Sequence, residues 1–290
     1  MSEISNRMTS LEKSIFVSNH KKQVSTMAEM VKSEEDGNSE ILRFSDSAKP
    51  ALYEHDVIDV IRELSRGKEE SIKYLEIGVN EGDTFNKVKA HTKHGVDPYG
   101  GCENITHNMT SQEFFVYNKY FWKNTYDIIF IDGMHMADII IQEVRESLKI
   151  LNPGGVILLH DVAPLRESTQ EVWYGDYIIF LENRLNLSKK EKSFQEYCKE
   201  HPWIGINGDA WKVMAHLRIN TDLSMVSVAT ACCGIICPHI TLKSVYEPPE
   251  LPVDGIYSWD YYKENVYNIL NPINLDEVWR LSKTICWEKK

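Results

Sequence analysis

The feature that most constrains this chain is an alternation running from residue 53 to residue 161. Short apolar runs take turns with longer stretches whose apolar residues recur every three or four positions. Val57, Ile58, Val60, Ile61 and Leu64 fit one face of a helix. Ile72 to Ile77 reads as a buried strand stopped by Gly78. Thr84 to His91 has helical character with Phe85 and Val88 turned inward, and Gly95-Val96-Asp97 is a short strand ending in an acid. Ile128-Ile129-Phe130-Ile131 suits a central parallel strand covered on both faces. Ala137 to Leu151 is an amphipathic helix with Ile140, Val144, Leu148 and Leu151 on one side. Asn152-Pro153-Gly154-Gly155 then turns the chain into the strand Val156 to Leu159. Strands alternating with helices predict an α/β fold: a Rossmann-like, doubly wound, mostly parallel sheet with right-handed crossovers.

The rest of the chain divides around this core. Residues 1–50 form a polar N-terminal extension, partly helical over Leu11 to Val31. Residues 51–240 form the α/β domain. Within it, helices are expected over Ser168 to Asn186 and Lys189 to Glu200. The apolar runs Ala210 to Leu217 and Met225 to Ile236 are expected to make an antiparallel hairpin on the sheet edge. Residues 241–290 are an aromatic-rich C-terminal extension packed on that domain. Its Trp259, Tyr261, Tyr262, Tyr267, Trp279 and Trp287 have three open roles: core packing, an interface in a homo-oligomer, or a stacking surface for a ligand.

Composition narrows the function classes. Lys and Arg number 32 against 43 Asp and Glu, a net charge of −11. That balance argues against nucleic-acid partners, because neutralising phosphates needs a basic surface. Crossing a bilayer takes roughly 20 consecutive apolar residues. The best run, Met225 to Cys237, is shorter, contains Ser227 and Thr230, and stops at Pro238, so no membrane role is expected. Met1 to Ser10 has no apolar segment of the secretory kind. The six cysteines follow no framework, which fits a reduced, cytoplasmic setting. Cys232-Cys233-x-x-x-Cys237 lies in an apolar run and reads as core cysteine rather than zinc ligation.

The strand ends carry the chemistry. In open α/β sheets, ligands bind beyond the carboxyl ends of the strands. Here Glu76-Ile77-Gly78, Asp97, Asp132 and Asp161 all fall at such ends. Gly78 and Gly82 allow a tight turn into the next helix, close to a ligand. Asp97 is placed to accept hydrogen bonds from ribose hydroxyls. Their spacing, G-x-x-x-G, differs from the G-x-G-x-x-G dinucleotide pattern.

On these residues the chain resembles the class I S-adenosylmethionine-dependent methyltransferases. The motifs are Glu76-x-Gly78-x-x-x-Gly82, Asp97, and Pro153-Gly154-Gly155 before the last parallel strand. The resemblance covers Tyr53 to Asp161 and continues more weakly to Ile236. Ile131-Asp132-Gly133-Met134-His135 with Leu159-His160-Asp161 is similar to the metal-dependent sugar O-methyltransferases of the macrocin and mycinamicin type. Asn207-Gly208-Asp209-Ala210-Trp211-Lys212 also looks like a feature of methyltransferase-like proteins associated with surface glycans.

The resemblance implies S-adenosylmethionine as cofactor, bordered by Glu76, Gly78, Gly82, Asp97, Ser111 and Asp132. It implies Mg2+ or Mn2+ at Asp132 and Asp161, joined by His160. His135 would be the general base, with Asp161 beside it in the catalytic set. The acceptor would be a small molecule or glycan. Relatives place an acid where this chain has His160, which shifts the site towards softer ions. The chemistry agrees with this assignment. Methyl transfer from a sulfonium needs alignment and removal of one proton, and an ion that polarises a sugar hydroxyl makes that proton easier to remove. Two rival readings remain from the sequence: a methyltransferase fold that binds without reacting, and a NAD(P)-dependent oxidoreductase, which the glycine spacing disfavours.

Overall fold

The computed structural model describes residues 56–99, 101–165, 167–170, 207–240, 246–253 and 255–284. The extension 1–50 and the helices expected over 171–200 lie outside these residues. In chain order the elements are α1 (Val57–Ser65), β1 (Lys73–Ile77), β2 (Thr92–Val96), α2 (Ser111–Tyr117), β3 (Tyr126–Ile131), α3 (Ala137–Ile150) and β4 (Leu151–Leu159). They continue with α4 (Trp211–Asn220), β5 (Ser224–Val228), β6 (Cys233–Cys237), α5 (Trp259–Leu270) and α6 (Leu275–Thr284).

The six strands form one sheet in the order β2-β1-β3-β4-β6-β5. Pairing is parallel from β2 through β4 and antiparallel where β6 meets β4 and β5. The fold is therefore α/β, with a mostly parallel sheet and an antiparallel edge. The side-chain period of two explains why the central strands are apolar throughout. On β3 and β4, Ile129, Ile131, Ile157 and Leu159 enter the layer that contains Val144 of α3, Met214 of α4 and Ile269 of α5. Ile128, Phe130, Val156 and Leu158 enter the opposite layer with Val60 and Leu64 of α1 and Val278 of α6. Helices on both faces leave only the strand ends open to a ligand.

Several local expectations are corrected. Ala210 to Leu217 is not a strand: α4 covers it, buried on nearly every side. A short apolar run cannot tell a strand from a fully buried helix. The edge hairpin is made inside the second run, where Ala229–Ala231 turns β5 into β6. Thr84 to His91 holds one hydrogen-bonded turn, Val88 N–H to Thr84 O, in place of a helix. Asn152 to Gly155 belongs to β4 itself, as an irregularity in its pairing with β3. Beside β2, the described residues add a single parallel bridge, Val96 with His107.

The cysteines fall on opposite faces of the sheet. Cys232 lies in the α3–α4 layer, while Cys233 and Cys237 lie in the α1–α6 layer. All three are buried and none is in a disulfide, and the sheet separates Cys232 from the other two, so the three do not share an ion. Of the C-terminal aromatics, Trp259 and Tyr262 stack on each other and Tyr262 lies against Trp211 in the core, which removes them from any ligand surface. No helix among the described residues is long and apolar enough to cross a membrane.

Arg218 ties this C-terminal part to the edge hairpin. Its guanidinium donates from Nε to Asn268 O (2.6 Å), from Nη2 to Tyr246 O (2.6 Å) and from Nη1 to Met225 O (3.3 Å). Each buried carbonyl left without a donor costs roughly 1–3 kcal/mol. Arg218→Met keeps the aliphatic stem and removes the donors; Met225 O still accepts from Asn271 Nδ2, so the loss falls on Asn268 O and Tyr246 O and the unfolding free energy is expected to drop by about 2 kcal/mol. Urea denaturation measures this directly.

Candidate active site

Three backbone steps bring the strand ends together. Gly78 N–H donates to Val96 O, Asp132 N–H to Ile77 O, and His160 N–H to Ile131 O. The residues just past β2, β1, β3 and β4 are thereby set side by side. Gly78 has φ +86, and a Cβ there would lie 2.1 Å from the carbonyl oxygen of Asp132. The first glycine is thus required by the passage of one turn over the next. Asp97 holds the same turn from the other side, accepting from Asn80 N–H (2.9 Å) and Tyr99 N–H (2.8 Å). Its carboxylate keeps further lone pairs for a ribose, since each oxygen has two.

Glu76 is buried beneath the turn. It accepts from the Tyr74 hydroxyl at 2.6 Å. Burial pushes its carboxyl up to about 8, against the lowering effect of the Tyr74 hydrogen bond. Ser111 opens α2 but does not cap it; Thr110 does, in a reciprocal box with Glu113. Ser111 lies near Glu143, whose carboxyl burial raises to about 7. Both line a groove between α2 and α3 of about 310 Å³.

Asp132, His135, His160 and Asp161 converge. His135 Nε2 lies 3.3 Å from Asp132 Oδ1 and 3.2 Å from Asp161 Oδ2. His160 Nδ1 lies 3.1 Å from Asp132 Oδ1 and 3.2 Å from Asp161 Oδ2. The four atoms make a closed ring in which nitrogen and oxygen alternate. The side chains are 13–27% exposed, so the ring is sheltered yet reachable by a small ligand. Burial works against the Asp132 charge, but the charge on His160 and hydrogen bonds from both imidazoles hold its carboxyl well below the usual carboxylate range. Burial likewise opposes the His160 imidazolium, and Asp132 and Asp161 raise it well above its ordinary value.

The ring is held in place by strained backbone and by a segment far away in sequence. His135 has φ 51 and Asp161 φ 58, both in the left-handed region. Asn207 Nδ2 donates to Asp161 Oδ1 at 2.7 Å and to Cys232 Sγ at 3.3 Å. Asp209 Oδ1 accepts from Ala137 N–H at 2.6 Å, and Asp209 N–H donates to His135 O at 3.0 Å. α3 has no cap from its own preceding residue, Met136, so Asp209 caps it from 72 positions on. Asn207 and Asp209 lie in the Asn207–Lys212 segment that the sequence singled out by resemblance without giving it a role; their contacts to Asp161, His135 and α3 appear only in the structure.

Residues 64–162, which include the elements that build the ring, match the family model of a methyltransferase domain. No curated protein sequence matches the chain. Similar solved structures include a putative O-methyltransferase from Klebsiella pneumoniae, at 11% identity over 82% of this chain and 99% of that one, with a TM-score of 0.39. The O-methyltransferase from Bacillus cereus in complex with SAH matches at 11% identity over 79% and 96%, with a TM-score of 0.35. The MycE methyltransferase in complex with Mg, SAH and mycinamycin VI matches at 13% identity over 67% of this chain and 50% of that one, with a TM-score of 0.37. Likenesses this loose carry no argument about function.

Two predictions come from this geometry. Gly208 has φ +56, and a Cβ there would lie 2.1 Å from His135 O, so Gly208→Ala must push the histidine turn away. It is expected to destabilise the fold by more than about 1–2 kcal/mol, the cost of a left-handed residue with a Cβ. A Cβ on Gly133 would meet nothing closer than 3.8 Å, so Gly133→Ala is expected to stay within about 0.5 kcal/mol of the parent. Urea melts of the two variants make the comparison. The second concerns Glu76, whose pKa rises from 4.5 unfolded to about 8 folded. Its stabilising contribution is complete below pH 4.5 and is lost as pH rises through about 8. Glu76→Gln should therefore gain stability relative to the parent as pH goes from 5 to about 8. Denaturation midpoints across that range would show the two curves converging or crossing, whereas parallel curves would contradict the assignment.

Proposed function

We propose that this protein transfers the methyl group of S-adenosylmethionine to a hydroxyl of a sugar or glycoconjugate, with a divalent ion held at Asp132, His160 and Asp161. The observation that carries the reading is the ring of two carboxylates and two imidazoles at the ends of β3 and β4, within a methyltransferase domain. The donors of Asp132, His135 and Asp161 lie within 4.8 Å of one another, close enough to share one ion, and His160 Nδ1 lies 3.1 and 3.2 Å from the two carboxylates. When bound, the ion supplies Lewis-acid polarisation of the acceptor hydroxyl.

The chain's own residues do the rest. The turn at Gly78 to Gly82, with Asp97 beneath it, forms the part of the strand-end edge that suits a nucleoside, as Rossmann-like sheets do. That turn abuts Asp132 directly, so cofactor and acceptor would meet across the Gly78–Asp132 contact. Alignment over so short a span is the main contribution an enzyme makes to a transfer of this kind. In the reaction the hydroxyl oxygen bonds to the methyl carbon, the carbon–sulfur bond breaks with its electrons going to sulfur, and the hydroxyl proton leaves. A vicinal diol, as in sugars, suits an ion flanked by carboxylates because both oxygens can approach it together. His135 Nε2 has one lone pair, so it serves either as the proton acceptor or as a donor to the ion, not both at once.

Two measurements test the reading. S-adenosylhomocysteine should raise the thermal midpoint of the intact protein, with a stabilisation of about 2.7 kcal/mol when present at a hundred times its Kd. Absence of any shift, with NAD stabilising instead, would sink it. With the cofactor bound, transfer of labelled methyl to a panel of sugars should be chelator-sensitive. His135→Ala should lower turnover by about a hundredfold or more while the S-adenosylhomocysteine shift survives.

A further inference from the structure

The spacing of the ring says more than that an ion fits. Adjacent donors are 3.3, 3.2, 3.2 and 3.1 Å apart around the circuit Asp132, His135, Asp161, His160. Charge-assisted hydrogen bonds between such groups are shorter, roughly 2.7–2.9 Å. An imidazole nitrogen also carries its proton or its lone pair in one direction. Each nitrogen here is nearly equidistant from two carboxylate oxygens, and the donor atoms of Asp132, His135 and Asp161 all lie within 4.8 Å of one another. Neighbours separated in this way are what four ligands present around an ion with bonds of roughly 2.0–2.3 Å.

We propose that His135 is a ligand of the ion rather than a free base. Asp132, His135, Asp161 and His160 then form a two-imidazole, two-carboxylate site for an imidazole-binding transition ion such as Fe2+, Co2+, Ni2+ or Zn2+, in preference to Mg2+. This inference rests on the proposed function only in requiring an ion at this ring. Mg2+ takes oxygen ligands and keeps several waters, so two neutral nitrogens in a circuit of four suit it poorly. Imidazole favours the later first-row ions. The neighbouring contacts also resemble the outer partners that fix metal ligands. Asn207 orients Asp161 through the oxygen that does not face the ring, and the Gly208–Asp209 backbone grips the carbonyl of His135. The positive φ of both His135 and Asp161 is explained as the backbone setting that turns their donors inward. With His135 occupied, the acceptor's proton passes to solvent, which the partial exposure of the ring admits.

The test uses the full chain, stripped of metal by chelation and titrated calorimetrically with Co2+, Zn2+ and Mg2+. Co2+ and Zn2+ are expected to bind one per chain, at least about a hundredfold tighter than Mg2+. The Co2+ form should show visible d–d absorption. His135→Gln should weaken Co2+ by about tenfold or more and shift that absorption. Equal affinity for Mg2+ and Co2+ would overturn the inference. So would a His135→Gln protein that keeps the parent's Co2+ affinity and spectrum, since that is the behaviour of a free base. Should that variant not fold, pulsed EPR of the Cu2+-loaded parent counts coordinated imidazole nitrogens: two support the inference and one overturns it. The metal titration is read without the cofactor. Failure of S-adenosylhomocysteine to bind would therefore undo the methyltransferase reading and leave this result standing or falling by itself.

Discussion

The contact on which the site depends is the approach of Gly208 to the carbonyl of His135, where even a methyl group would have no room. It brings a segment from beyond residue 206 against the turn that follows β3. Three polar bonds then become possible at once: Asn207 to Asp161, Asp209 to the first amide of α3, and the Asp209 amide to His135. The strand ends supply the acids, but this clamp sets where His135 and Asp161 point. Both residues sit in a backbone region that side chains avoid, and such strain persists only where surrounding structure over-determines it.

Electrostatics follows from that placement. Two carboxylates and two imidazoles alternate in the ring, so each carboxylate has two imidazoles as neighbours and no carboxylate next to it. The arrangement offsets part of the desolvation that partial burial imposes. Glu76, at the neighbouring strand end, is treated differently. It has a hydroxyl partner and a nearly closed surrounding, and burial pushes it towards its neutral form. Acids at neighbouring strand ends thus differ in kind: one group is open and charged, another is shut into the core.

Much of the fold was legible because its signals are local. The apolar runs at Ile128 to Ile131 and Val156 to Leu159 became central strands, covered on both faces as their composition requires. The periodicity of Ala137 to Leu151 became α3. The errors came where local pattern is ambiguous. Ala210 to Leu217 is apolar on every side because α4 is enclosed by α3, α5 and β5, and that enclosure belongs to the tertiary structure. The three apolar cysteines could be set aside as core, but their division between two faces of the sheet appeared only with β6 in place.

By itself the sequence determined the strands, their acidic ends and the surplus of negative charge, because hydrophobic period and strand-end position are properties of neighbours along the chain. It marked Asp132, His135, His160 and Asp161 as candidates, and the structure drew those four into one ring. Only the tertiary structure decided that His135 stands level with His160 between the carboxylates. Only the structure made Asn207 and Asp209 their supports and assigned Gly78 to the passage of one turn over another. The physical reason is separation: His135 and His160 are 25 positions apart, and the contacts of Asn207 and Asp209 join residues 46 to 74 positions apart. Their geometry depends on how α4 docks against the sheet, which no stretch of a dozen residues encodes.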